Sequence, residues 1–97
     1  MARRRYLVAY DIREDRRLRS VHRTMKGYGW AMQYSVFVCD LDPMEVLALK
    51  TDIASIIDHR VDSVALLDLG LPAERGKGCF EFMGPAPPLP AGGPLIL

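Results

Sequence analysis

Apolar residues recur along this chain with two different periods, and the places where the period changes mark its elements. Arg5 to Asp11 (RYLVAYD) is a short apolar run closing on a carboxylate, which predicts a strand. After the turn Ile12-Arg13, the acidic pair Glu14-Asp15 suits the positive end of a helix dipole. Leu18, Val21 and Met25 then recur at the spacing of a buried helical face, and Gly27 and Gly29 supply the stop. Ala31 to Cys39 (AMQYSVFVC) is β-branched and aromatic and predicts one further strand. In Asp42-Pro43-Met44-Glu45, Asp42 can cap a helix, Pro43 is tolerated in its first turn, and Glu45 can reach back to the cap amide. Val46, Leu49, Ile53, Ile56 and Ile57 share one arc of that helix. Asp62 to Leu69 predicts a strand, Arg75-Gly76-Lys77-Gly78 a turn, and Cys79 to Met83 (CFEFM) a last strand.

Two helices alternating with short strands predict an α/β sandwich with both helices on one face of the sheet. The strands are apolar on both parities: Tyr6, Val8 and Tyr10 against Leu7 and Ala9, Tyr34, Val36 and Val38 against Phe37 and Cys39. Two helices cover one face only, and the other would expose an apolar patch that soluble monomers rarely carry. A homodimer packed through the uncovered face is the simplest remedy. The tail beginning at Gly84 holds five of the seven prolines and predicts a flexible extension, dividing the chain into a domain at 1–84 and a tail at 85–97.

Composition narrows the class. No apolar run approaches the ~20 residues that span a bilayer, and the apolar stretch after Arg3-Arg4-Arg5 breaks at Asp11 without a cleavage site, so the expectation is a cytoplasmic protein with no membrane association. Cys39 and Cys79 stand far apart with no CxxC spacing, which suggests neither a disulfide framework nor a zinc site. The formal net charge of +1 conceals an asymmetry. Residues 1–30 carry nine basic and three acidic side chains, and the remaining residues four basic and nine acidic. Such segregation suits a face that meets a large anion, nucleic acid being the commonest.

Asp11 is the foremost candidate for chemistry. It ends an apolar strand and shares parity with Leu7 and Ala9, where rigid backbone meets an open loop; the alternative is a turn-forming or capping Asp. One carboxylate makes a poor Mg²⁺ site, but a dimer axis near the end of the first strand would bring two together. On the first helix, Arg16, Arg19, Arg23 and Lys26 form a stripe away from Leu18, Val21 and Met25, able to track a phosphate backbone or simply to face solvent. Arg13, in the Asp11 turn, is grouped with them, and Arg17 points nearer that turn, where it could steady a phosphate. His22 reads as a packed histidine and His59 as a solvated one. Ser35 lacks a nucleophile-elbow setting, and neither a P-loop nor a GxGxxG is present.

Tyr6-Leu7-Val8-Ala9-Tyr10-Asp11-Ile12, Arg16-Arg17-Leu18-Arg19-Ser20-Val21, Gly29, Gln33-Tyr34-Ser35-Val36-Phe37-Val38-Cys39, Asp62-Ser63-Val64, Asp68-Leu69-Gly70, Gly84 and Pro94-Leu95-Ile96-Leu97 resemble the small CRISPR-associated Cas2 family. The resemblance spans nearly the whole chain. It implies an α+β, ferredoxin-like β-α-β-β-α-β sandwich, a tight two-strand hairpin within Ala31–Cys39, and a homodimer in which Cys79–Met83 pairs with the partner's sheet. It further implies an Mg²⁺-dependent endonuclease of single-stranded RNA or double-stranded DNA that serves spacer acquisition in antiviral defence. The implied partners are a CRISPR integrase and DNA or RNA. By position, Asp11 matches the family's metal-binding aspartate, Tyr10 and Phe37 match residues implicated near it, and Arg17 and Arg19 fall in its arginine-rich helix start. Where some members carry an arginine two residues before the Gln, this chain has Ala31, which bears on cleavage more than on DNA binding. Two other classes stay open: a non-catalytic DNA-binding scaffold bridging integrase dimers, and a small dimeric ligand sensor.

Overall fold

The computed structural model describes residues 2–75 and 78–88, together with the backbone of 95–96. In chain order the elements are β1 (Arg4–Asp11), α1 (Asp15–Met25), β2 (Trp30–Gln33), β3 (Val36–Leu41), α2 (Pro43–Ala54), β4 (Ser63–Gly70), β5 (Glu81–Phe82) and β6 (Leu95–Ile96). The first four strands form one antiparallel sheet in the order β2-β3-β1-β4, the ferredoxin-like arrangement. Both helices start at polar caps. The Glu14 carboxylate accepts the Arg16 and Arg17 amides at the head of α1, and Asp42 and Glu45 close a reciprocal capping box on α2.

Helix α2 ends at Ala54, so Ile56 and Ile57 fall beyond it, yet both still pack against the core. The expected single strand over Ala31–Cys39 is two strands joined at Tyr34–Ser35, as the family resemblance implies. Among the described residues no non-glycine has a positive φ, so this hairpin turns without the Gly, Asn or Asp that usually advertises one; a register shift between Ala31 and Gln33 accompanies it. Gly29 is required by close approach. A Cβ there would drive into the Val38 carbonyl oxygen and Cys39 Sγ.

Direct cross-strand neighbours share a face, and the register sorts the sheet cleanly. Val8, Tyr10, Phe37 and Cys39 meet Val21 and Met25 of α1 and Leu49 and Ile53 of α2 in the core. On the opposite face, Trp30, Val38, Leu7 and Leu67 make one rung across all four strands. Val38 in the middle of that rung is fully buried, while Trp30 and Leu67 at its ends are 41% and 56% exposed, so the patch anticipated on this face is there at the two outer strands. At one end of this face Arg5 is fully buried and forks onto Asp40, with nitrogen–oxygen distances of 2.8 and 2.9 Å.

Of the last expected strand, Cys79–Met83, only Glu81–Phe82 is extended. It pairs in parallel with Leu95–Ile96 of the same chain, apart from the main sheet. Gly76 and Lys77 of the expected turn, and Pro94 and Leu97 of the tail, lie outside the described residues. No helix among the described residues is long and apolar enough to cross a membrane. Cys39 is buried, which pushes its thiol up to about 12, and Cys79 is exposed.

Candidate active site and nucleic-acid face

Strand alternation sends Tyr10 and Asp11 to opposite faces at the end of β1. Asp11 lies across from Ser63, on the face of the Trp30–Leu67 rung. Its carboxylate is 61% exposed and meets the Arg13 guanidinium at 3.1 Å. Among the described residues no three metal-ligating side chains gather anywhere. Asp11 is thus a hard oxygen donor of the kind Mg²⁺ accepts, rigidly based and open to solvent. One chain offers only the first of the one or two carboxylates such a site uses.

The loop leaving Asp11 is pinned by a residue whose role the sequence did not reveal. The Asp62 side chain is fully buried and accepts from the Arg13 and Asp58 amides at 2.8 Å each and from Arg17 Nε at 2.8 Å. The Arg17 guanidinium, with help from those amides, holds the Asp62 carboxyl far below the usual carboxylate range despite the desolvation. Arg17, expected to steady a phosphate, therefore has its guanidinium occupied by Asp62, with Glu14 3.8 Å away. The available signal was an Asp immediately before a strand antiparallel to β1, which places it beside the β1–α1 turn.

Tyr10 and Phe37 stand behind the site, on the helix side. Phe37 is fully buried and Tyr10 6% exposed, with ring centroids 6.4 Å apart. Burial pushes the Tyr10 phenol up to about 12, so it stays protonated and donates to the Tyr34 carbonyl. These two side chains do not share Asp11's face; they fix the strand end that carries it.

Arg16, Arg19, Arg23 and Lys26 are exposed along α1, and none makes an ion pair with a described residue. The stripe read from the sequence is therefore present. Arg13 differs, being paired with Asp11. Ala31 lies on edge strand β2, across from Phe37 of β3.

Residues 4–73 match the family model for CRISPR associated protein Cas2. The chain belongs to the Cas2 family. It is 47% identical over 81 residues to a protein of Rhodospirillum rubrum described as CRISPR-associated endoribonuclease Cas2, an alignment covering 84% of this chain and 78% of that one. A Halalkalibacterium halodurans relative, described as CRISPR-associated endonuclease Cas2, is 33% identical over 95 residues, covering 93% and 96%. Among solved structures, Streptococcus pyogenes Cas2 superposes with a TM-score of 0.71 at 33% identity, covering 82% of this chain and 99% of that one. The Cas2 match and the sheet order together establish the ferredoxin-like fold.

Proposed function

We propose that this Cas2-family chain is an endonuclease that hydrolyses phosphodiester bonds, with Asp11 from two copies at the centre of the site. One observation carries the reading: Asp11 projects from the same uncovered face as the apolar rung Trp30, Val38, Leu7 and Leu67. A second copy packed on that face, in the homodimer the apolar patch calls for, brings both carboxylates into one interface. Relatives described as endoribonucleases or an endonuclease support the same activity for this chain.

Asp11 is the residue that would hold Mg²⁺, completed by its counterpart and by phosphate oxygens of the substrate. Bound there, the ion supplies Lewis-acid polarisation of a phosphate and a more acidic water. The chain's own groups do the rest. Arg16, Arg19, Arg23 and Lys26 offer four exposed cations to the backbone of the nucleic acid, an attraction that weakens as salt rises. Arg13 presents its guanidinium beside Asp11, where an incoming phosphate meets it. Asp62 holds the Arg13 amide and Arg17 side chain, so the loop that carries the Arg13–Asp11 pair keeps its shape. Following the family, we extend the reading to spacer acquisition in the cytoplasm, with a CRISPR integrase as protein partner.

The test is Asp11→Asn in purified protein. Cleavage with Mg²⁺ is expected to fall by roughly 10³-fold, the scale of several kcal/mol of lost charge stabilisation, with dimer and nucleic-acid binding retained. Wild-type cleavage by the variant would end this reading. Loss of binding together with cleavage would leave Asp11 a structural residue.

A further inference from the structure

We infer that Tyr34, backed by His22, is a stacking platform for one unpaired nucleobase, so that the chain prefers single-stranded nucleic acid at this end of the sheet. The inference deepens the nuclease reading and rests on it for the class of substrate. Its basis is an aromatic pair that neither the fold nor the Asp11 site requires. The Tyr34 and His22 rings lie 3.9 Å apart at 2° to each other, closely parallel. Tyr34 is nevertheless 50% exposed, and no other described ring lies against it.

The pair is rigid for reasons visible in its hydrogen bonds. The Tyr34 carbonyl accepts from the Tyr10 hydroxyl and, at 2.9 Å, from His22 Nδ1. A carbonyl can only accept, so Nδ1 carries the proton. The edge of the His22 ring meets Phe37, with centroids 5.4 Å apart. Strand β1 also grips the turn, because the Tyr10 amide donates to the Ser35 carbonyl at 3.0 Å. An exposed tyrosine normally loses side-chain freedom when a ligand orders it; here that ordering is already done, which favours binding.

The charges around it match a nucleic-acid strand. Arg19 and Lys26, three residues before His22 and four after it, share its helical face, and Arg23 follows directly. A ring with one covered side and exposed surface remaining, flanked by exposed cations, combines the two elements of single-strand binding: base stacking and a charged track for the backbone. A base inside a duplex is already stacked on both sides and cannot use it. RNA and DNA bases both present a π-face, so the platform itself selects strandedness and leaves sugar identity to other contacts.

The test uses the full-length protein without divalent metal, and short oligonucleotides carrying 2-aminopurine as RNA, as DNA and as a duplex. Tyr34→Ala is expected to raise Kd for single strands by about 5- to 100-fold and to abolish quenching of the probe base, with duplex affinity changed by less than about twofold. Tyr34→Phe keeps the π-face and should bind as wild type. Tyr34→Leu, apolar but without a π-face, should behave as Tyr34→Ala and guards against misfolding of the smaller variant. Unchanged single-strand affinity in Tyr34→Ala and Tyr34→Leu, with affinity lost in Arg19→Glu/Arg23→Glu, overturns the platform alone. If the charge-reversed protein also binds as wild type, the platform and the nucleic-acid reading fail together. Equal losses for single strands and duplex also overturn the platform.

Discussion

Tyr10 and Asp11 are neighbours in sequence and belong to different halves of the molecule. Tyr10 faces the helices with Val8 and Phe37, in a core where these three side chains are at most 6% exposed. Asp11 faces the other way, on the face of a rung that leaves Trp30 and Leu67 about half exposed. One face of the sheet is finished by its own chain; the other buries Arg5 and Val38, leaves apolar side chains exposed at its outer strands and carries the carboxylate. The difference teaches that this chain's stability and its proposed chemistry are written on opposite parities of the same strands. The two faces can therefore be perturbed separately.

The sharpest contrast comes from opposite substitutions. Phe37→Ala empties a fully buried site and should cost about 3–5 kcal/mol of folding stability, measured by chemical denaturation. Leu67→Glu, on the open face, should leave the fold of the single chain within about 0.5 kcal/mol of wild type. It should instead weaken the proposed dimer by roughly 10²-fold, since a buried unpaired charge costs several kcal/mol, as read by analytical ultracentrifugation. If Leu67→Glu unfolds the protein, or leaves association untouched, the contrast between faces is broken.

The smallest effect lies in acid. Asp62 has a depressed folded pKa, so its bonds to Arg17 and the loop stabilise the fold above the ordinary carboxylate pKa of about 3.9. That contribution is lost as pH falls below this value toward the folded one. Asp58, held at about 2 by Arg60, titrates with the same sign. Thermal stability followed from about pH 5 downward should drop more steeply in wild type than in Asp62→Asn, whose side chain does not titrate. Parallel acid limbs would place the stabilisation elsewhere.

Much of this layout was legible in the sequence. Asp42 and Glu45 announced their capping box, and the parities of β1 foretold both the core and the uncovered patch. The hairpin at Tyr34–Ser35 was hidden from the residue pattern, because its backbone turns at negative φ and its apolar run continues through the bend; only the family resemblance indicated it. The pairs Arg5–Asp40 and Arg17–Asp62 were hidden for another reason. Each joins residues at least 35 positions apart, so it depends on strand register and loop packing that composition does not encode. For Asp11 the strand-end position showed in the sequence, while its partner Arg13 was read only as a cation for nucleic acid. The stripe on α1 appeared as expected, since exposed charge at helical spacing needs no tertiary knowledge.

The most direct test of the account asks whether two open faces work as one site. Dimers reassembled from wild-type and Asp11→Asn subunits in varied proportion should cleave in proportion to the square of the wild-type fraction, because each working site needs both aspartates. Activity that instead tracks the wild-type fraction linearly would mean that one subunit suffices, and the shared site would have to be abandoned.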